Sequence, residues 1–181
     1  HIPDDAVIIS ESGIRNNATV RTLKPYVHGF LVGSQLTSQP SIDYAARELI
    51  YGTTKICGLT SPAAAQAARA AGATHGGLIF EQASPRAITP TTARTIIAAE
   101  PGLKFVAVSR STNAEEWAEL AVIPGIAALQ IHSPYQGSVD AEHALIDTIR
   151  QATGNRAEIW RAVSMTDPTG ICLLYTSPSP R

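Results

Sequence analysis

The sequence predicts an α/β protein of parallel strands joined by helical crossovers, and three observations predict it. Seven short apolar runs rich in Val and Ile recur along the 181 residues. The runs are mostly continuous rather than alternating, as strands covered on both faces are. Between them lie helix-like segments with capping residues at their ends. Strand–helix alternation of this kind implies parallel strands with right-handed crossovers. Two architectures satisfy it, an open doubly wound sheet and a (β/α)8 barrel. No G-x-G-x-x-G follows the first run, which speaks mildly against the dinucleotide-binding form of the first.

The elements follow in order. The strand runs are "AVIIS" at 6–10, "HGFLV" at 28–32, "TKIC" at 54–57 and "HGGLIF" at 75–80, then "KFVAV" at 104–108, "IAALQIH" at 126–132 and "AEIWRAV" at 157–163. The first helical segment, "SIDYAARELIYG" at 41–52, precedes the third run. In "SPAAAQAARAAG" at 61–72, Ser61 can cap, Pro62 takes the first helical position and Gly72 closes. "TPTTARTIIAAEPG" at 89–102 repeats the plan with Pro90. "TNAEEWAELAVIPG" at 112–125 offers Asn113 as cap and acidic residues in the first turn, and "SVDAEHALIDTIRQATG" at 138–154 completes the set. Periodicity alone would make seven strands one nearly complete barrel.

The bulk numbers exclude several classes. With 44% hydrophobic and 16% charged residues the chain can bury a core. A net charge of -1, with Lys and Arg scattered, gives no footprint for nucleic acid or a membrane surface. No run approaches the roughly 20 apolar residues that span a bilayer. Two cysteines form no disulfide framework and fit a reducing compartment, the cytoplasm. His28, His75 and His143 show no metal-ligand spacing with carboxylates or Cys57. No metal or cofactor is signalled.

In either architecture ligands meet the carboxyl ends of the strands. After the first run stand Glu11, Ser12 and Gly13, a carboxylate beside a hydroxyl and an unhindered backbone N–H. After the second stand Gly33 and Ser34. Two such consecutive strand ends suit a barrel's phosphate site, although Gly and Ser are also ordinary turn residues. "SESG" is not the nucleophile elbow of a serine hydrolase. After the third run stand Cys57 and Gly58. A free cysteine is most often a small buried hydrophobe, but at a ligand mouth its thiolate can act as base or nucleophile. Arg86, in the loop after the fourth run, can grip a carboxylate or phosphate bidentately; the ordinary reading is a solvated surface residue. Gln130 and His132 alternate onto one side of the sixth run, toward a ligand or into a satisfied core.

Taken in order, these residues resemble two enzymes. "VIISESGI" followed by "HGFLVGSQL" resembles the last two strands of indole-3-glycerol-phosphate synthase. "KICGLT", "GGLIF…SPR", "FVAV" and "LQIH" resemble the opening strands of phosphoribosylanthranilate isomerase. The two occur fused, synthase first, in a bifunctional enzyme of bacterial tryptophan biosynthesis. The resemblance implies (β/α)8 TIM-barrel pieces: the last two βα units of one barrel at 1–52, then the first five strands of a second at 53–168. Residues 169–181 resemble non-native read-through, so a fragment cut at both ends is expected.

The resemblance also implies roles. Cys57 would be the isomerase's general base, removing the proton from sugar carbon 2 in an Amadori rearrangement. Arg86 would orient the anthranilate carboxylate, and Gly58, Gln130 and His132 would line the substrate pocket. Glu11 and Ser12 would border the synthase site, where an indole ring closes with loss of carbon dioxide and water. Gly13, Gly33 and Ser34 would hold the substrate phosphate. Neither reaction needs a cofactor or metal. The partners implied are small phosphorylated substrates. The parent is expected to be monomeric, and a fragment with exposed strand edges to self-associate. The isomerase's acid and phosphate site, and the synthase's lysines, fall outside the matching strands, so this polypeptide is expected to be inactive alone. Two departures stand out: Ser133-Pro134 follow "LQIH" where relatives commonly have glycine, and Ser109 stands where many have an aromatic residue. A single phosphate-binding barrel of another family, with Gly33-Ser34 and Cys57 in one pocket, and a non-catalytic barrel piece remain alternatives.

Overall fold

The computed structural model describes Pro3 and residues 5–163. The stretch read as a non-native tail, 169–181, lies outside the described residues. Seven strands form where the apolar runs stand. They are β1 (Ile9–Glu11), β2 (Gly29–Leu31), β3 (Lys55–Cys57), β4 (His75–Ile79), β5 (Lys104–Ser109), β6 (Ile126–Ile131) and β7 (Glu158–Arg161). Every pairing is parallel.

The strands divide into two sheets. β1 pairs with β2 alone, and β3 to β7 pair in unbroken chain order. Unbroken order means that every crossover steps the same way, as in a barrel wall; a doubly wound sheet reverses at a switch point. β2 and β3 do not pair, which overturns the alternative of a single barrel made from all seven strands. The break falls at a short connection: a helix ends at Tyr51, and β3 starts the second sheet after three residues.

The helices are α1 (Asn17–Leu23), α2 (Ser34–Thr37), α3 (Ile42–Tyr51), α4 (Pro62–Ala70), α5 (Pro90–Ala99), α6 (Ala114–Ala121) and α7 (Val139–Thr153). Ser61 and Asn113 cap as their side chains allow, accepting from Ala64 N and Glu115 N. Thr89, Ser41 and Ser138 do the same for α5, α3 and α7. The periodicity did not announce α1. It is short and buries no residue, so it carries no apolar stripe. The side chain of Asn16 caps it at Thr19 N, 2.9 Å away.

Alternation gives the larger sheet two apolar faces. Outward, Leu78, Phe105, Ala107, Leu129 and Ile131 pack against Ala65, Ala68, Ile96, Trp117 and Ile149 of the helices. Inward, Ile79, Val106, Val108 and Ala128 pack with Trp160. Helix α3 lies against the amino-terminal end of this sheet. The buried Arg47 guanidinium donates to the carbonyls of Ala73, just before β4, and Gly102, just before β5, and to Asp43 Oδ2. Asp43 also accepts from Arg69 Nε at 3.0 Å. Hydrogen bonds from Arg69 and Arg47 hold the Asp43 carboxyl below its ordinary range. Asn17 Nδ2 donates to Leu49 O and Ile50 O, tying α1 to the last turn of α3.

Candidate functional site

The site is built at the carboxyl end of the larger sheet. Cys57 is the last residue of β3, and its exposed thiol faces the side of the sheet that Lys55 also faces. Its register partner on β4 is Gly77. A Cβ at Gly77 would lie 2.7 Å from Cys57 Sγ and 3.0 Å from Cys57 Cα, so only glycine lets the sulfur occupy its place. The chain then turns sharply: Gly58 N and Leu59 N both donate to Gly77 O, at 2.9 and 3.0 Å.

Gly58 adopts φ +86°, a conformation that L side chains rarely take. A Cβ there would meet Arg86 Cδ and Nη1 at 2.7 Å. Arg86 thus lies over the turn, and its Nη1 donates to Cys57 O at 3.2 Å. The arginine reached from the loop after β4 is brought to the cysteine at the end of β3.

Gln130 stands on β6, in register with Val108 and Trp160, and reaches across to Lys55. Lys55 Nζ in turn lies 3.4 Å from Cys57 Sγ. His132 follows β6 on the same side as Gln130, exposed, with its backbone N donating to Ser109 O at 2.8 Å. Arg86 therefore contacts Cys57 and Gly58 directly, Gln130 is linked to Cys57 through Lys55, and His132 follows two residues after Gln130. Sequence reasoning missed Lys55 and Gly77. The signal for Lys55 was the alternation Lys55-Ile56-Cys57, which puts lysine and cysteine on one face.

The loop that follows His132 is held by a buried ion pair. Arg161, at the end of β7, donates to Glu142 Oε2 and Oε1 at 2.8 and 2.9 Å, to Ser133 O at 2.8 Å and to Pro134 O at 3.1 Å. Burial works to raise the Glu142 carboxyl, but the Arg161 hydrogen bonds, the Gln136 backbone N–H and the charges of Arg161 and His143 together outweigh it, and the net shift is downward. Ser133-Pro134, the departure noted after "LQIH", thus has both carbonyls fixed by one guanidinium. At the opposite end of the sheet His75 packs on Trp160, ring centroids 5.1 Å apart. Burial, assisted by the charge of Lys104, lowers His75 to about 4.

The smaller sheet carries the other residues singled out. Glu11 ends β1, opposite Leu31 of β2. Ser12 and Gly13 take φ of 65° and 70°, turning the chain back at that strand end. Gly33 and Ser34 open the single turn of α2 after β2. All five are exposed, at the carboxyl ends of paired strands, on a sheet separate from that of Cys57. Among the described residues no cluster of His, Cys, Asp or Glu could hold a metal ion.

Comparison with known proteins divides the chain in the same place. A family model described as "Indole-3-glycerol phosphate synthase" matches residues 1–49, and one described as "N-(5'phosphoribosyl)anthranilate (PRA) isomerase" matches residues 54–172. The tryptophan biosynthesis protein TrpCF of Corynebacterium glutamicum is 57% identical over 169 residues, covering 93% of this chain and 35% of that protein. TrpCF of Yersinia pestis is 39% identical over 166 residues, covering 92% and 34%. The chain thus spans about a third of the length of these relatives. Among solved structures, phosphoribosyl anthranilate isomerase of Thermotoga maritima superimposes with TM-score 0.56 at 25% identity, over 68% of this chain and 57% of that one. TrpF of Jonesia denitrificans gives TM-score 0.51 at 30% identity, over 63% and 52%. Over most of its length the chain belongs to the N-(5'-phosphoribosyl)anthranilate isomerase family, and it carries ahead of that region a segment of the indole-3-glycerol phosphate synthase family.

Proposed function

We propose that the chain supplies the base side of an isomerase site that converts N-(5-phosphoribosyl)anthranilate by an Amadori rearrangement, within an enzyme that also closes the indole ring. Cys57 is the general base. Once the sugar ring has opened to the protonated imine, the Cys57 thiolate takes the proton from carbon 2; the C2–H electron pair forms the carbon 1–carbon 2 double bond and the carbon 1–nitrogen π pair returns to nitrogen, giving the enolamine. Arg86 orients the anthranilate carboxylate, and Gly58, Gln130 and His132 line the pocket. The observation that carries this reading is the seat of Cys57. It is an exposed thiol at a strand's carboxyl end, cleared by Gly77 and bonded at its carbonyl by Arg86. A packed core cysteine would not be exposed.

The smaller sheet belongs to the second activity, decarboxylating ring closure to indole-3-glycerol phosphate. Glu11 and Ser12 border that site, and Gly13, Gly33 and Ser34 contact the substrate phosphate. Substrates of both activities are small and phosphorylated. The enzyme works as a monomer in the cytoplasm. No described helix is long and apolar enough to cross a membrane.

The test is kinetic, on the full-length bifunctional protein. A general base typically contributes ~10²–10⁴-fold, so Cys57→Ser should lose that much isomerase kcat while ring closure persists. Glu11→Gln should do the reverse. Full isomerase activity in Cys57→Ser would return the cysteine to a packing role.

A further inference from the structure

Lys55 is the one inward-facing residue beside the proposed base that no assignment has used. It precedes Cys57 by two positions on β3, so both side chains project from the same face. Its ammonium lies 3.4 Å from Cys57 Sγ, within hydrogen-bond reach of sulfur. Its other side-chain partner is the amide oxygen of Gln130, from the third strand along the sheet. Among the described residues it forms no ion pair with a carboxylate. The lysine is half-buried, so its charge is only partly met by water. A cation in that position stabilises an anion placed next to it, and the sulfur is the group in reach that can become one.

We propose that Lys55 is the positioning residue of the base. Fixed by the Gln130 amide oxygen, its ammonium donates a hydrogen bond to the Cys57 thiolate and aims the sulfur at the barrel mouth. This rests on Cys57 being the base, and it gives Gln130 a second duty beside lining the pocket: its amide oxygen holds the lysine, while its NH2 stays available to the substrate. An amide suits the task, because its oxygen orients an ammonium without neutralising it, whereas a carboxylate would compete with the sulfur for the charge.

The experiment measures thiolate chemistry and turnover separately. Cys57 alkylation by iodoacetamide at pH 7 is followed on its own peptide by mass spectrometry, and needs no turnover. Thiolate is the reacting form, so Lys55→Met should slow alkylation about tenfold or more. A lysine that merely packed would, when removed, leave the rate unchanged or raise it by loosening the strand. In the full-length bifunctional protein the same variant should lose roughly 10–100-fold in isomerase kcat with KM little changed, since the lost contact acts on proton transfer. Lys55→Arg, which keeps the charge, should recover part of both. Gln130→Met should slow alkylation several-fold in the same direction. An unchanged alkylation rate in Lys55→Met overturns the proposal. So does a Gln130→Met variant with normal alkylation, because that outcome leaves Gln130 no part in holding the lysine. If Lys55→Met does not fold, Gln130→Met and Lys55→Arg still decide. Retained isomerase activity in Cys57→Ser defeats the base itself, and is read independently of the alkylation rate.

Discussion

Gly77 and Cys57 stand opposite each other on adjacent strands, and the missing side chain of the first makes room for the sulfur of the second. The clash that a methyl group would create involves the Cys57 Cα as well as the Sγ, so rotating the thiol does not relieve it. Gly77→Ala should therefore move the base. A displacement near 1 Å can cost about 10²-fold in rate, and that loss in isomerase kcat is expected with substrate affinity less affected. Steady-state kinetics of the full-length protein check this; a variant with undiminished kcat would show that the sulfur's position is not critical.

Gly58 and Arg86 give a second prediction of a different kind. Gly58→Ala meets backbone strain of about 1–2 kcal/mol at its positive φ. It also pushes the Arg86 side chain from its seat, though a long side chain can move where backbone cannot. Thermal unfolding should register the strain. The proposed carboxylate contact should register as a rise in isomerase KM larger than the fall in kcat.

Removing Arg47 should be costly without touching either site. Its guanidinium is buried and satisfies Ala73 O, Gly102 O and Asp43 at once. Breaking a buried, hydrogen-bonded charge leaves its partners unpaired, and about 3 kcal/mol of stability is expected to go in Arg47→Met. Urea titration measures it. A loss below about 0.5 kcal/mol, the level of an ordinary surface substitution, would mean that α3 is not anchored through this residue.

His75 sets a pH dependence. It stays neutral when folded, lowered to about 4 by burial first and then by Lys104 and Lys55, against an opposing pull from Glu158. In the unfolded chain it titrates near the ordinary histidine value of 6.5. Between those values the unfolded state binds the extra proton, so stability is full above pH 6.5 and falls as pH drops toward 4, by roughly 3 kcal/mol at most. Asp43 and Glu142, both lowered, add their losses only at more acid pH. Stability of His75→Gln followed from pH 7 to 4.5 should be flatter than that of the unaltered protein; parallel curves would refute the assignment.

The strands were legible because each is a short apolar run between helices, and burial on both faces writes a continuous hydrophobic signature. Ser61, Pro62 and Asn113 were legible because capping is local chemistry. What escaped was what depends on distant partners. Helix α1 rests on Asn16 and on Asn17 reaching α3, with no buried apolar residue to mark it. The break between β2 and β3 leaves no trace in composition, since each run is an equally good strand; quoted motifs and their order, not periodicity, indicated two sheets. Lys55 meets Gln130 across 75 positions of sequence, a contact that only strand order creates. Arg47 read as one charge on an amphipathic helix, because its acceptors lie in turns before β4 and β5.

The helix that Arg47 anchors has one more consequence. By ancestry α3 falls largely within the synthase match, which runs to residue 49, but its guanidinium completes the backbone of the isomerase sheet. The boundary of descent and the boundary of mechanical support therefore do not coincide. Severing the polypeptide between Gly52 and Thr54 would separate the two lineages and strip the carbonyls of Ala73 and Gly102 of their donor. Severing it ahead of Ser41 would send α3 along with the sheet it braces. Modularity here belongs to the piece that keeps its hydrogen bonds, not to the piece that keeps its name.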